Sequence, residues 1–147
     1  MKFMLIMRAT EAGKKEDEAA DFNAIITAMG TYNEEMMNAG VLLAGEGLAD
    51  DLSTAFVVDF DAEQPVVTDG PYGEVHELFN GFWIIETATR AEAIEWAKRA
   101  PLGRGSKLEV RRVNEMADFE GFQDNEYLQK ENGWRDEQAA RSSTHDR

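Results

Sequence analysis

Glu46 stands between Gly45 and Gly47, at what reads as the end of a strand. A carboxylate placed there could face a pocket that its neighbours are too small to fill. Partial burial would raise its pKa and suit it to general acid–base chemistry. The competing reading is an acid that caps a backbone turn or pairs with Arg8. Asp69, followed by Gly70 and Pro71, is the second candidate. It reads either as a base or ligand-orienting group presented by a fixed turn, or as the Asx hydrogen bond that makes the turn. Glu74, His76 and Glu77 form a third group. In extended chain Glu74 and His76 share a face, whereas in a helix Glu74 and Glu77 do. A histidine beside a carboxylate could be held as imidazolium and donate protons near neutral pH. The bland alternative is a solvated side chain. Arg8 closes the first strand and would either anchor an anionic ligand or form a salt bridge to Glu46 or Asp69. The candidate catalytic residues are therefore Glu46, Asp69 and His76, and the candidate ligand-facing residues are Arg8, Glu46, Asp69, Tyr72 and Glu74.

Other chemistries find no foothold. Cysteine is absent, which removes thiolate nucleophiles, zinc–thiolate sites and disulfides. Ser53 and Ser106 have no marked partner for a nucleophilic triad. Gly103-Arg-Gly105 lacks the strand–loop–helix setting of a phosphate loop. One histidine with scattered acids is a weak metal signal, so no metal and no cofactor is expected. The formal net charge of −14 repels phosphate backbones and anionic membranes. No nucleic-acid or membrane partner is expected, although that charge leaves room for a local basic patch of Lys107, Arg111 and Arg112. Phe3 to Met7 is too short for a signal-peptide core and runs into Arg8, and no apolar run approaches the ~20 residues of a membrane span. A cytoplasmic protein is the simplest expectation.

The elements that must position these residues read along the chain as follows. Phe3 to Met7 is a continuous apolar run, as in a strand buried on both faces. Ala19, Phe22, Ile25, Ile26, Met29, Tyr32, Met36 and Met37 recur mostly at steps of three and four, predicting an amphipathic helix that Gly40 ends. Gly30 inside it is expected to mark close packing on the sheet. Strands are predicted over Val41–Leu48, Thr54–Phe60, Val66–Thr68, Phe82–Glu86 and Leu108–Val113. Thr89-Arg-Ala-Glu92 is a capping box, opening a helix that Pro101 stops. Tyr32, Trp83 and Trp96 read as core or interface aromatics. After Asn114, Met116, Phe119, Phe122, Tyr127, Leu128 and Trp134 are spaced apolar anchors in an acidic arm, and Glu137–Arg147 reads as a polar, disordered tail. A domain over 1–120 is expected, followed by an arm and tail over 121–147.

This order, β-α-β-β-α-β, predicts an α+β ferredoxin-like fold with both helices on one face of an antiparallel sheet. The other face stays bare, and a second copy related by two-fold symmetry is the commonest way to cover it. A homodimer follows as an expectation.

The run Val67-Thr-Asp-Gly-Pro-Tyr-Gly-Glu-Val-His-Glu77 resembles the DGPF(AETKE) signature of the YCII-related proteins. Tyr32-Asn-Glu-Glu35, Ala39-Gly-Val-Leu-Leu-Ala-Gly-Glu-Gly-Leu48, Gly81-Phe-Trp83, Glu95-Trp96 and Met116-Ala-Asp-Phe119 are similar to one branch of that family in order and spacing. The resemblance spans about residues 2 to 120. It implies a ferredoxin-like fold that dimerises into an α+β barrel with clefts at the sheet interface. A His–Asp pair is proposed as catalytic in some members, but this chain has only His76 within the domain, where the branch usually carries Lys. Tyr72 replaces the signature's Phe, Gly73-Glu74-Val75 replaces Ala-Glu-Thr, and Ala49 replaces a frequent Pro. The expected function is binding of a small organic molecule in a dimer-interface cleft. The alternative is a lyase- or isomerase-like acid–base enzyme using Glu46 and Asp69.

Overall fold

The structure is a computed structural model describing residues 1–8, 10–13, 15, 20–49, 51–70, 79–122 and 124–144, with the backbone alone at 136 and 138–144. The chain divides into two compact units, Met1–Val113 and Asn114–Arg147. Along the first unit run β1 (Lys2–Arg8), α1 (Phe22–Asn38), β2 (Leu42–Gly47), β3 (Phe56–Asp59), β4 (Val66–Asp69), β5 (Phe79–Glu86), α2 (Arg90–Lys98) and β6 (Lys107–Arg112). Strands β2, β5, β1 and β6 lie side by side in that order as one antiparallel sheet. This is the predicted β-α-β-β-α-β plan. The β3–β4 hairpin is an insertion that forms a separate two-stranded sheet. Among the described residues the four-stranded sheet keeps two edges, and no closed barrel forms within the chain.

Local signals set the element ends. Asp21 caps α1 by accepting from the Asn23 N–H at 3.0 Å. At the other end Gly40 takes φ +68°. There the Gly40 N–H donates to the Met37 carbonyl and the Val41 N–H to that of Met36, satisfying carbonyls the helix leaves over. The Thr89 hydroxyl accepts from the Glu92 N–H at 3.1 Å as the capping box requires. The return bond differs: Glu92 accepts from the Ala88 N–H at 3.0 Å, one residue earlier than expected.

The core lies between the sheet and the two helices. Phe3 and Leu5 of β1, Trp83 and Ile85 of β5, Tyr32 and Met36 of α1, Val41 and Ala93 form one buried cluster, with Met7, Met29, Trp96 and Leu108 packed against it. Tyr32 meets Trp83 edge-on with ring centroids 5.3 Å apart, and donates its hydroxyl to the Trp96 carbonyl at 2.9 Å. Burial pushes the Tyr32 phenol up to about 12, an effect the Arg99 cation opposes and Glu35 reinforces. The Trp83 indole N–H donates to Asn33 Oδ1 at 2.8 Å. All three tryptophan and tyrosine rings read as core aromatics from the sequence are therefore in or against the core.

Gly30 does not pack on the sheet. It is exposed, and a methyl added there would meet nothing within 4 Å. Gly45 and Gly81 are the glycines where close approach operates. A Cβ on Gly45 would fall 2.7 Å from the Trp83 ring, and one on Gly81 would fall 2.6 Å from the Glu46 carbonyl oxygen.

In the second unit, a 3-10 turn over Met116–Phe119 is capped by Asp118, which accepts from the Glu115 N–H at 2.7 Å. Helix α3 follows over Glu126–Thr144. The expected disordered tail from Glu137 is thus corrected as far as Thr144. Ala, Gln, Glu and Arg dominate that stretch and favour helix. The turns before it are braced by Glu126–Lys130 at 3.3 Å and Glu131–Arg135 at 2.5 Å, each an i,i+4 pair of the favourable orientation. Phe122, Tyr127 and Trp134 are all exposed. Among the described residues, no helix is long and apolar enough to cross a membrane.

Candidate functional site

Alternation along a strand sends successive side chains to opposite faces, and directly paired residues of an antiparallel ladder share a face. The face that both helices cover takes Phe3, Leu5, Trp83 and Ile85. The other face takes the residues between them. One row across the sheet runs Glu46, Phe82, Ile6, Glu109, and the next runs Ala44, Ile84, Met4, Arg111. None of these joins the core cluster. Met4, Phe82 and Ile84 are partly exposed and Ile6, between its row neighbours, is 7% exposed. The helix-free face therefore has an apolar centre and ionic edges.

The β6 edge of that face holds an ion cluster. The Arg8 guanidinium meets Glu109 Oε2 twice, from Nε at 2.8 Å and from Nη2 at 2.6 Å. Arg111 Nε lies 3.9 Å from the other oxygen of the same carboxylate. Lys107 is paired with Arg8 across the ladder, two residues before Glu109. Arg8 is thus engaged by Glu109 rather than by Glu46 or Asp69, because β6 lies beside β1 whereas β5 separates β1 from β2. Sequence separation hid this pairing. The alternation of Lys107, Glu109 and Arg111 was visible, but nothing in it named Arg8.

Glu46 sits on the opposite edge, directly paired with Phe82. It is exposed, so the partial burial expected of it is not found. Gly45 is small because the Trp83 ring fills its side of the strand, not because a pocket opens there. Asp69 lies on the hairpin, paired with Phe56, and its side chain is exposed. On that face of the hairpin Phe56 (66% exposed), Val58 and Val67 (61%) accompany it. Gly70 follows with φ +101° and donates its N–H to the Ala55 carbonyl at 2.8 Å, which anchors the turn to the hairpin base. Glu46 and Asp69 thus belong to different sheets. Tyr72, Glu74, His76 and Glu77 lie outside the described residues.

A shallow groove of about 460 Å³ occupies the helix side of the unit, lined by Tyr32, Glu35, Arg99, Thr31, Ala28 and Pro101. Arg99 there pairs with Glu35 and stacks on the Trp96 ring at 4.2 Å. Its charges satisfy one another, so it offers a ligand less than the sheet face does. Among the described residues no three metal-ligating side chains converge.

The sequence profile of the YCII-related domain matches residues 1–117. The chain belongs to the YCII-related family. No curated protein matches it. Among solved structures it is similar to 5-chloro-2-hydroxyhydroquinone dehydrochlorinase from Burkholderia phenoliruptrix, solved in complex with 2,5-dihydroxybenzoquinone. The match has 13% identity and a TM-score of 0.41, over 78% of this chain and 94% of that one. Neither that enzyme's activity nor its ligand is carried over to this chain.

Proposed function

We propose that this protein binds a small organic molecule on the helix-free face of its four-stranded sheet, in a cleft completed by a second copy of the chain. The observation that supports this is the makeup of that face. Met4, Ile6, Phe82 and Ile84 form an apolar floor between Glu46 on one edge and the Arg8–Glu109–Arg111 cluster on the other. An apolar floor bounded by a few polar groups is what small-molecule sites share. Neither α1 nor α2 packs on it, and a two-fold copy would turn the open face into a cleft.

Sedimentation velocity at micromolar concentration tests the pairing, with a dimer expected for the wild type and a monomer for Ile84→Asp. A thermal-shift panel of benzoate, catechol, 2-oxoglutarate and cyclohexanol tests binding, since a ligand of the folded state alone raises its stability. Shifts that persist unchanged in Arg111→Ala and Glu46→Gln would place the site elsewhere.

A second reading, acid–base chemistry on the bound molecule with Glu46 as proton acceptor, draws on one feature. Glu46 is solvent-facing and, among the described residues, carries no hydrogen bond or ion pair, leaving its carboxylate open to a substrate. Solvent-deuterium exchange into the same compounds, followed by NMR and lost in Glu46→Gln, separates turnover from mere binding.

A further inference from the structure

The β3–β4 hairpin is short of partners. Along its two strands only Val57 is half-buried, and every other residue is exposed. Among the described residues, no strand pairs with the outer edge of either. A lone two-stranded hairpin is marginal in water and gains stability from a third strand or a packed face. The side chains here are mostly strong strand formers. Neither strand contains the Lys or Pro that commonly keeps an open edge from pairing.

Cross-strand pairing gives the hairpin two unlike faces. Phe56, Val58, Val67 and Asp69 share one, and Val57, Asp59, Val66 and Thr68 the other. Phe56 is 66% exposed and Val67 61%, with Phe60 at 75% just past the end of β3. The charge around these apolar groups is of one sign. Asp59, Asp61, Glu63 and Asp69 are exposed, and none has an ion-pair partner among the described residues. Between Lys15 and Arg90 the sequence has sixteen Asp and Glu and no Lys or Arg. The whole net charge of −14 arises in that stretch, since the remainder is slightly basic. Two such hairpins repel one another, as does any anionic partner, whereas a cationic one is complementary.

We infer that the hairpin takes up an extended, cationic peptide segment of another protein as a third strand along one of its open edges. Strand addition supplies main-chain hydrogen bonds, and alternate side chains supply selectivity. Alternation decides which residues such a peptide needs. Its apolar residues join the Phe56–Val58–Val67 face, and the Lys or Arg between them lie on the face of Asp59. This binding is independent of the cleft proposed above, because it uses the other sheet.

Fluorescein-labelled peptides of about six residues, a usual strand length, test it by anisotropy against the full chain. One alternates Lys and Val, one has the same composition as a Lys block followed by a Val block, and one alternates Glu and Val. The alternating cationic peptide is expected to bind about tenfold more tightly than either other, and more weakly as salt rises. Phe56→Ser with Val67→Thr should weaken it about tenfold, and Asp59→Asn with Asp61→Asn about threefold. Asp59→Asn keeps the oxygen that accepts from the Asp61 N–H at 2.8 Å, so the turn is preserved. Glu34→Gln with Glu86→Gln removes as much exposed charge elsewhere, and should leave affinity within about twofold. The peptide comparison on the unaltered chain stands whatever the variants do. Equal binding of the block peptide, an equal loss in the Glu34 and Glu86 pair, or no binding at about 1 mM overturns the inference. So does dissociation of the chain's own dimer, without peptide, on Phe56→Ser with Val67→Thr, which assigns the hairpin to a second copy instead.

Discussion

Ile84 and Ile85 are neighbours in sequence and occupy opposite faces of the same sheet. Ile85 is fully enclosed by the core cluster. Ile84 lies on the face that neither helix of this unit covers, beside Met4. The two faces are similar in composition along β1 and β5, yet one is closed by helices and the other is bounded by charged edges. The covered face holds the buried core of the fold, while the other carries Met4, Phe82 and Ile84, half-buried, around Ile6, and neither helix packs against them. The proposed binding function draws on that second face.

The strongest test of this contrast pairs the two isoleucines. Ile85→Ala should cost about 2–5 kcal/mol of stability, the range for removing a buried aliphatic side chain, at any protein concentration in denaturant titrations. Ile84→Ala should cost under about 1.5 kcal/mol at low concentration, with a larger deficit only where the wild type associates. Equal losses at both positions would mean the second face is as closed as the first.

Tyr32 gives the covered face a pH signature. The unfolded phenol titrates near the ordinary tyrosine value of 10.0, and the folded one at about 12. Between those values the folded state holds the proton that the unfolded chain has released, so stability falls as pH rises through this window. Two units correspond to a loss of about 2–3 kcal/mol. The difference between wild type and Tyr32→Phe across pH 10 to 12 isolates it from lysine titration. Tyr32→Phe itself should cost about 1 kcal/mol at neutral pH, for the bond to the Trp96 carbonyl.

Gly81→Ala bears on the edge that holds Glu46. Its methyl would press on Met7 and on the Glu46 carbonyl oxygen, and overpacking of this kind costs about 1–3 kcal/mol. Exchange of the Leu48 N–H, which donates to Asn80 at 2.7 Å, should quicken as the β2–β5 ladder loosens. The smallest effect is expected at Gly30→Ala, on the solvent side of α1 and remote from both faces. With open space for the methyl, it should raise stability by about 0.5–1 kcal/mol. A loss there would show that Gly30 has a contact of its own.

Sequence patterning made the strands, both helices, the Gly40 stop and the Thr89 cap legible, because these follow from short-range periodicity and from residues acting on their neighbours, whereas the Asp21 cap emerged only in the structure. It also placed Tyr32 and Trp83 in the core. The candidate site was read less well. Arg8 was recognised as a charge that needs a partner, but Glu109 lies 101 residues away and only strand order makes them adjacent. Glu46 was taken for a partly buried acid on the strength of its flanking glycines. Gly45 turned out to make room for Trp83 on one face while Glu46 points from the other.

The sequence by itself determined which segments of the first unit become strands and helices, which side chains alternate, and that the chain carries the YCII-related pattern, since each depends on residues close in the chain. Only the tertiary structure decided which face of the sheet the helices occupy and which charges stand on one edge together. Those outcomes depend on strand order, and strand order is settled by the burial of Phe3, Leu5, Trp83, Ile85, Tyr32 and Met36 in one core, a cooperative choice that no local stretch encodes.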